Sequence, residues 1–284
     1  MMDPKEIKKM VKEGYTEIAR TGLPCCPTSN SCCDLSGIAE DISREVGYSD
    51  KDLEESPEGA NLGLGCGNPT ALASLKLGET VLDLGSGAGF DCFLAAARVG
   101  KEGKVIGVDM TPDMIDKATE NASKGDYTNV EFRLGDIEDL PVTDNSIDVV
   151  ISNCVINLSP SKDKVFREIF RVLKEGGRFI ISDIALLSPI PDRIRESAEA
   201  YISCISGAIL KKDYLAIIKR SGFADIEIIE ETTYPFDLIV AMISPDEMSS
   251  ILKDMNLSME EAEEMTGSVV SIEVGGTKPS LSSM

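Results

Sequence analysis

The 284-residue sequence contains no histidine. That absence excludes histidine general bases, Ser-His-Asp triads and His-ligated zinc together. Basic residues are scarce as well: 28 Lys and Arg stand against 49 Asp and Glu, a formal net charge of -21. Phosphate backbones require a basic footprint, so nucleic acid is not an expected partner. Nor is there a run approaching the roughly 18 apolar residues that a membrane helix needs. The opening MMDPKEIKKMVKEG lacks the apolar stretch of a signal peptide. A cytoplasmic protein without a membrane anchor is therefore the expectation.

What is present is a 42% hydrophobic fraction, enough for a well-buried core, and eight cysteines: Cys25, Cys26, Cys32, Cys33, Cys66, Cys92, Cys154 and Cys204. In a reducing compartment such cysteines are more often catalytic or metal-binding than structural disulfides. With histidine absent, thiols are the best reactive groups available.

The length fits one large α/β domain with segments appended at both ends. Residues 4–21 read as an amphipathic helix with Ile7, Met10, Val11, Tyr15 and Ile18 on one face. The loop LPCCPTSNSCCD follows, then a second short helix over about 36–47 closed by Gly47. SPEGANLGLGCGNPT is a loop holding Cys66. From about 69 to 184 strands and helices alternate: TVLDLG, FDCFLAAARVG, KVIGVD, a helix from Pro112 to Lys124, VEFRLGD, SIDVVISNC, SKDKVFREIFRVLK and GGRFIISDI. Continuous apolar strands with helical crossovers imply a mostly parallel sheet with helices on both faces. Residues 191–221 read as helical around Cys204. ADIEIIEET and SVVSIEVGG read as later strands completing the sheet, with one or two exposed helices between them. The expected division is 1–68 for the helical, cysteine-rich N-terminal segment, 69–190 for the central domain, and 191–284 for an α+β extension.

VLDLGSGAG, at 81–89, is a strand running into a glycine-rich turn and then a helix. Gly85, Gly87 and Gly89 let the backbone turn sharply and approach a ligand at the carboxyl end of a parallel strand. The spacing is GxGxG, with Phe90 where a dinucleotide fingerprint wants its third glycine, and no Lys or Arg lies near to meet a phosphate. Three aspartates stand at successive strand ends instead. Asp83 suits the amino group of a cationic ligand, Asp109 in GVDM can take both ribose hydroxyls, and Asp136 in LGDIEDLP can accept an adenine amino group. Together they describe a phosphate-free nucleoside with a charged amino-acid tail, which is S-adenosylmethionine. This ordered set resembles the class I methyltransferase superfamily over about 70–184. The resemblance implies a Rossmann-like fold and extends the cofactor-binding set to Ser86, Met110, Ile137 and Asn153.

The strand SIDVVISNC ends in Asn153-Cys154-Val155, where amino-methylating members of that superfamily carry an Asn/Asp-Pro-Pro-aromatic motif. A thiol at the acceptor position disfavours amine and nucleobase acceptors. Cys92 reads as a small core hydrophobe. Cys66, flanked by glycines on a loop, has no helix or strand face to fill.

GLGCGNP, VLDLGSGAGFDC, GVDMTPDMI, SNCVINL and the SCISGA segment are similar, in order and spacing, to the arsenite methyltransferase family over about 15–235. That resemblance implies that Cys66, Cys154 and Cys204 bind trivalent arsenic, supplied as arsenite or its thiol conjugates. The chemistry is consistent: soft arsenic selects thiolates, and its lone pair attacks a methyl group with no general base. The family also has an N-terminal cysteine that pairs with the one matching Cys66 during turnover, and a thiol reductant of thioredoxin or glutathione type restores trivalent arsenic. Which of Cys25, Cys26, Cys32 and Cys33 takes that role stays open, beside a zinc or arsenic prebinding clip and plain surface thiols. Two other functions remain as alternatives: a methyltransferase with a carbon or quinone acceptor, and a non-catalytic thiol-based metalloid or zinc binder.

Overall fold

In the computed structural model, residues 3–21, 35–190, 205–233, 252–253 and 258–280 are described. Helix α1, Pro4–Thr21, buries Ile7, Val11, Ile18 and Ala19 along one stripe, the face expected from its periodicity. Helix α2 (Leu35–Glu45) ends before Gly47, whose φ of 98° carries the chain out of the helix. Two short helices that the loop-like composition hides follow. The first, α3 (Asp50–Glu55), is nucleated by a capping box between Ser49 and Asp52. The second, α4 (Pro69–Leu72), starts on a proline.

The central unit alternates as β1 (Thr80–Leu84), α5 (Phe90–Val99), β2 (Lys104–Asp109), α6 (Pro112–Lys124), β3 (Val130–Leu134), β4 (Ile147–Asn153), α7 (Lys162–Val172) and β5 (Leu173–Leu186). Helix α8 (Lys211–Arg220), β6 (Ala224–Thr233), α9 (Met259–Gly267) and β7 (Val269–Thr277) complete it. The seven strands lie in the order β3-β2-β1-β4-β5-β7-β6. All neighbours up to β5 are parallel, and β7 runs antiparallel between β5 and β6. This is the mostly parallel, Rossmann-like sheet expected from the sequence.

The sheet's centre is apolar on both faces because helices cover both. Leu82, Leu84, Val150 and Phe179 are fully buried, each contributing about 1.5–3 kcal/mol. Strand β5 is longer than GGRFIISDI implied. It begins directly after α7 at Leu173 and runs on to Leu186, because β7 pairs with it from Arg178 to Leu186. A partner strand far away in sequence sets that length. Of the segment expected to be helical over 191–221, Lys211–Arg220 is helix, 205–210 is not, and 191–204 lies outside the described residues.

Strand β1 has β2 on one side and β4 on the other, so connections run in opposite directions from it. A crevice opens where strand order reverses, at the carboxyl ends of the strands. No helix among the described residues is long and apolar enough to cross a membrane.

Candidate functional site

That crevice is a cleft of about 1080 Å³, partly open to solvent. Asp83, Gly85, Ser86, Gly87, Asp109, Met110, Asp136, Ile137, Asn153 and Cys154, all expected from sequence, line it. Gly85 and Gly87 have φ of 69° and 51°, a left-handed backbone that favours glycine. A Cβ on Gly85 would collide with the Val155 side chain, whereas one on Gly87 would meet nothing. Gly87 thus leaves the open space that a ligand can fill. Gly89, also expected to bind the cofactor, is not among the described residues lining the cleft. Its φ of 96° starts α5, and a Cβ there would lie 2.8 Å from both Phe132 and Phe93. It serves packing.

The cleft is electrostatically incomplete. Asp83, Asp91 and Asp109 are all buried. Burial, then the charge of Asp91, pushes the Asp83 carboxyl well above its usual range. Burial drives Asp91 up to about 6, against hydrogen bonds from Tyr48 and Asn153 and the charge of Arg98. A shift from 3.8 to about 6 corresponds to roughly 3 kcal/mol of unrelieved cost in ionising that group. Lys8 of α1, the one basic residue among the described residues lining the cleft, is committed at 2.6 Å to Asp136 and 2.9 Å to Glu138. The Ser86 hydroxyl, on the glycine turn, is buried without a partner. A cationic ligand with hydrogen-bonding groups answers each of these features, and S-adenosylmethionine, with an ammonium and a sulfonium, fits the donor set.

Asp109 accepts the N–H groups of Gly87 (3.0 Å) and Thr111 (2.8 Å), which holds the β2 end against the glycine turn. The Asp136 oxygens are taken by Lys8 (2.6 Å) and the Glu138 N–H (2.9 Å), so an adenine amino group would have to share them. Cys92 is fully buried in the core as expected, and its thiol also donates to Asp83 (3.2 Å).

Cys154 lines the same cleft, with a left-handed φ of 57° at the exit from β4. Such a conformation in a residue other than glycine persists only where surrounding contacts impose it. Here the Cys154 N–H donates to Ser182 C=O at 2.8 Å. Cys66 does not line the donor cleft. It borders a neighbouring cavity with Asn68, Ser271 and Glu273. Both cysteines nonetheless join one apolar cluster with Ile184, Leu186 and Ala208, against which Ile205 also packs. Both also act on the buried Tyr214 hydroxyl, which burial and then Asp183 hold well above its usual range. Cys204, Cys25, Cys26, Cys32 and Cys33 lie outside the described residues. Among the described residues no group of three or more Cys, Asp or Glu is arranged to hold a metal ion.

Sequence reasoning missed Lys8, Tyr48 and Asp91, all of which line the cleft. Tyr48 donates to Asp91 Oδ1 at 2.7 Å and accepts from Asn153 Nδ2 at 3.0 Å. The signal available was the Asp following the glycine turn in GFDC; nothing in the sequence marked Tyr48.

Residues 75–222 match the family model of a methyltransferase domain. An arsenite methyltransferase of Halobacterium salinarum is 50% identical over 233 residues, 80% of this chain and 59% of that protein. One from Aquipseudomonas alcaligenes is 38% identical over 72% of this chain and 58% of its own length. The chain therefore spans under two thirds of these curated relatives. Among solved structures, an arsenic(III) S-adenosylmethionine methyltransferase from Chlamydomonas reinhardtii superposes with a TM-score of 0.62 at 31% identity. That match covers 84% of this chain and 74% of the other.

Proposed function

Since the chain belongs to the methyltransferase-domain family and, within it, to the arsenite methyltransferases, we propose that it methylates trivalent arsenic held by the thiolates of Cys66, Cys154 and Cys204. The observation that carries this reading is the gathering of Cys66 and Cys154, 88 positions apart, in one buried cluster beside a cleft suited to a cation. Cys204 enters as the third ligand on the family resemblance alone.

S-adenosylmethionine supplies an electrophilic methyl group on a sulfonium centre. The chain's part is electrostatic and geometric. Asp83 and Asp91 would balance the ligand's charge, Asp109 would receive the ribose hydroxyls, and the N-terminus of α5, which has no side-chain cap, would suit the tail carboxylate. The thiolates would hold arsenic with its lone pair on the open side, free to meet the methyl group in line. When bound, the donor would supply a methyl group to that lone pair, its sulfur keeping the electrons of the broken C–S bond, and no proton would have to leave. Arsenic is formally oxidised in that step, so a thiol reductant of thioredoxin or glutathione type returns it to the trivalent state, with Cys25, Cys26, Cys32 or Cys33 as candidate relay thiols. The reading places the enzyme in the cytoplasm, where such reductants are maintained. Incubation of the protein with arsenite, a dithiol and S-adenosylmethionine, followed by arsenic speciation, tests the whole reading. No methylated product would end it.

Two consequences concern the donor. Asp109→Ala should weaken S-adenosylmethionine binding by about 1.5–3 kcal/mol, through loss of charge-assisted hydrogen bonds, while sparing arsenite binding. Calorimetric titration of each ligand measures this, and an unaltered donor affinity would refute the ribose role. The second consequence is a pH dependence. Asp91 is ionised above about 6 and protonated below, so the cationic donor meets one more negative charge at neutral pH. Donor affinity should therefore fall below that value, by at most about tenfold per pH unit for one group. A flat profile between roughly pH 5 and 7.5 removes Asp91 from the charge balance.

A further inference from the structure

The loop that carries Cys66 lies between α3 and α4 and has no helix or strand of its own. A thiol in such a place would wander unless something gripped its backbone. The grip is the side chain of Asn153. Its Oδ1 accepts the Cys66 N–H at 2.9 Å, and its Nδ2 donates to the Gly67 carbonyl at 2.8 Å. One carboxamide thus brackets the Cys66–Gly67 dipeptide. Its orientation is fixed by chemistry, because the flipped amide would set its NH₂ against the Cys66 N–H and its oxygen against the Gly67 carbonyl.

The flanking glycines show how tightly the clamp closes. A Cβ on Gly65 would lie 2.6 Å from Asn153 Nδ2, and one on Gly67 would lie 2.6 Å from Glu273 Oε1 and 2.7 Å from Ser182 Oγ. Strand β7 holds the other side of the loop. The Ser271 hydroxyl donates to the Cys66 carbonyl at 2.7 Å, and Glu273 Oε1 accepts the Asn68 N–H at 2.9 Å. Asn153 is itself held, since Nδ2 is shared with the Tyr48 hydroxyl at 3.0 Å and Asp91 Oδ2 at 3.3 Å.

Asn153 immediately precedes Cys154 at the end of β4. Its backbone belongs to one thiol's strand and its side chain to the other thiol's loop. We propose that Asn153 is the positioning residue that sets the spacing of the Cys66 and Cys154 thiols, with Tyr48 and Asp91 holding its carboxamide in register. The proposal rests on reading those thiols as arsenic ligands. It gives Asn153 a second duty beyond lining the donor cleft, and it explains why a carboxamide stands there. An aspartate would accept the Cys66 N–H but would repel the Gly67 carbonyl and Asp91.

The test uses the full chain with Asn153→Ala and Tyr48→Phe, and two independent readouts. The first is the alkylation rate of Cys66 by iodoacetamide, followed by peptide mass spectrometry, with Cys154 and Cys92 as internal standards. Asn153→Ala should speed alkylation of Cys66 relative to Cys92 roughly tenfold, and Tyr48→Phe a few-fold. The second is the initial rate on inorganic arsenite, whose kcat should fall in the same order while the KM for the donor changes less. Equal acceleration at all three cysteines would mean general loosening and overturn the clamp, as would unchanged alkylation in both variants. Faster Cys66 alkylation with an unaltered arsenite kcat would overturn the positioning role. Wild-type protein inert on arsenite, combined with selective acceleration at Cys66, would sink the ligand reading and leave the clamp standing. Should Asn153→Ala fail to fold, Tyr48→Phe, which deletes a single hydroxyl, carries both readouts.

Discussion

Cys154→Ser should lower methylation of both inorganic and monomethylated arsenite by more than about a hundredfold. The substitution keeps the size and the backbone of the residue, which matters because Cys154 holds a left-handed φ of 57° and its N–H is tied to Ser182. What changes is the ligand atom. A soft thiolate becomes a hard hydroxyl that stays protonated near neutral pH, and trivalent arsenic discriminates strongly between the two. Cys154 also lines the donor cleft, whereas Cys66 does not. On the proposed function, losing it would remove the ligand that aligns arsenic with the methyl donor. Initial rates under saturating reductant, with donor affinity measured in parallel, give the answer. Donor binding should stay within about threefold, as a hydroxyl leaves its neighbours otherwise intact. A serine variant that retains a tenth or more of the rate would remove Cys154 from the acceptor site.

The sequence exposed those features that depend on residues near one another in the chain. The glycine turn with Asp83, and the aspartate that ends GVDM, sit at junctions between a strand and its following helix, where local pattern and position coincide. Strand assignments followed from continuous apolar runs such as Val149–Ile151. Contacts that cross between elements were invisible. Lys8 looks like one more solvated lysine on an amphipathic helix until α1 is laid beside the cleft and meets Asp136 and Glu138. Tyr48 follows a helix-ending glycine and has no pattern of its own. Its meaning comes from Asp91 and Asn153, 43 and 105 positions away. The true extent of β5 was hidden for the same reason, since β7 defines it from across the chain. Gly89 carries a second constraint that its turn pattern did not show, since the rings of Phe93 and Phe132 leave no room for a Cβ there.

Cys66→Ser should separate the successive methylations. Inorganic arsenite offers three coordination positions, a monomethylated arsenical two, and a dimethylated one only a single position. Thiolates must therefore be released stepwise as methyl groups are added. Cys154 is anchored at a strand end, whereas the Cys66 segment is held by side-chain hydrogen bonds from Asn153 and Ser271. With the Asn153 bond to Gly67 and the Glu273 bond to Asn68 they make four, each worth on the order of 1 kcal/mol, so the loop still costs less to move than β4, which is paired on both sides. Cys66 is then the ligand to be given up first. Its serine variant should lose the first methylation by more than about a hundredfold, yet bind and methylate monomethylarsenite within about fivefold of wild type. Saturating dithiol is essential, because a recycling defect at Cys66 would otherwise mimic a catalytic one. The two acceptors compared side by side decide the matter. If Cys66→Ser loses the second methylation as completely as Cys154→Ser does, Cys66 is one of the two thiolates kept for the second step and stepwise release begins elsewhere.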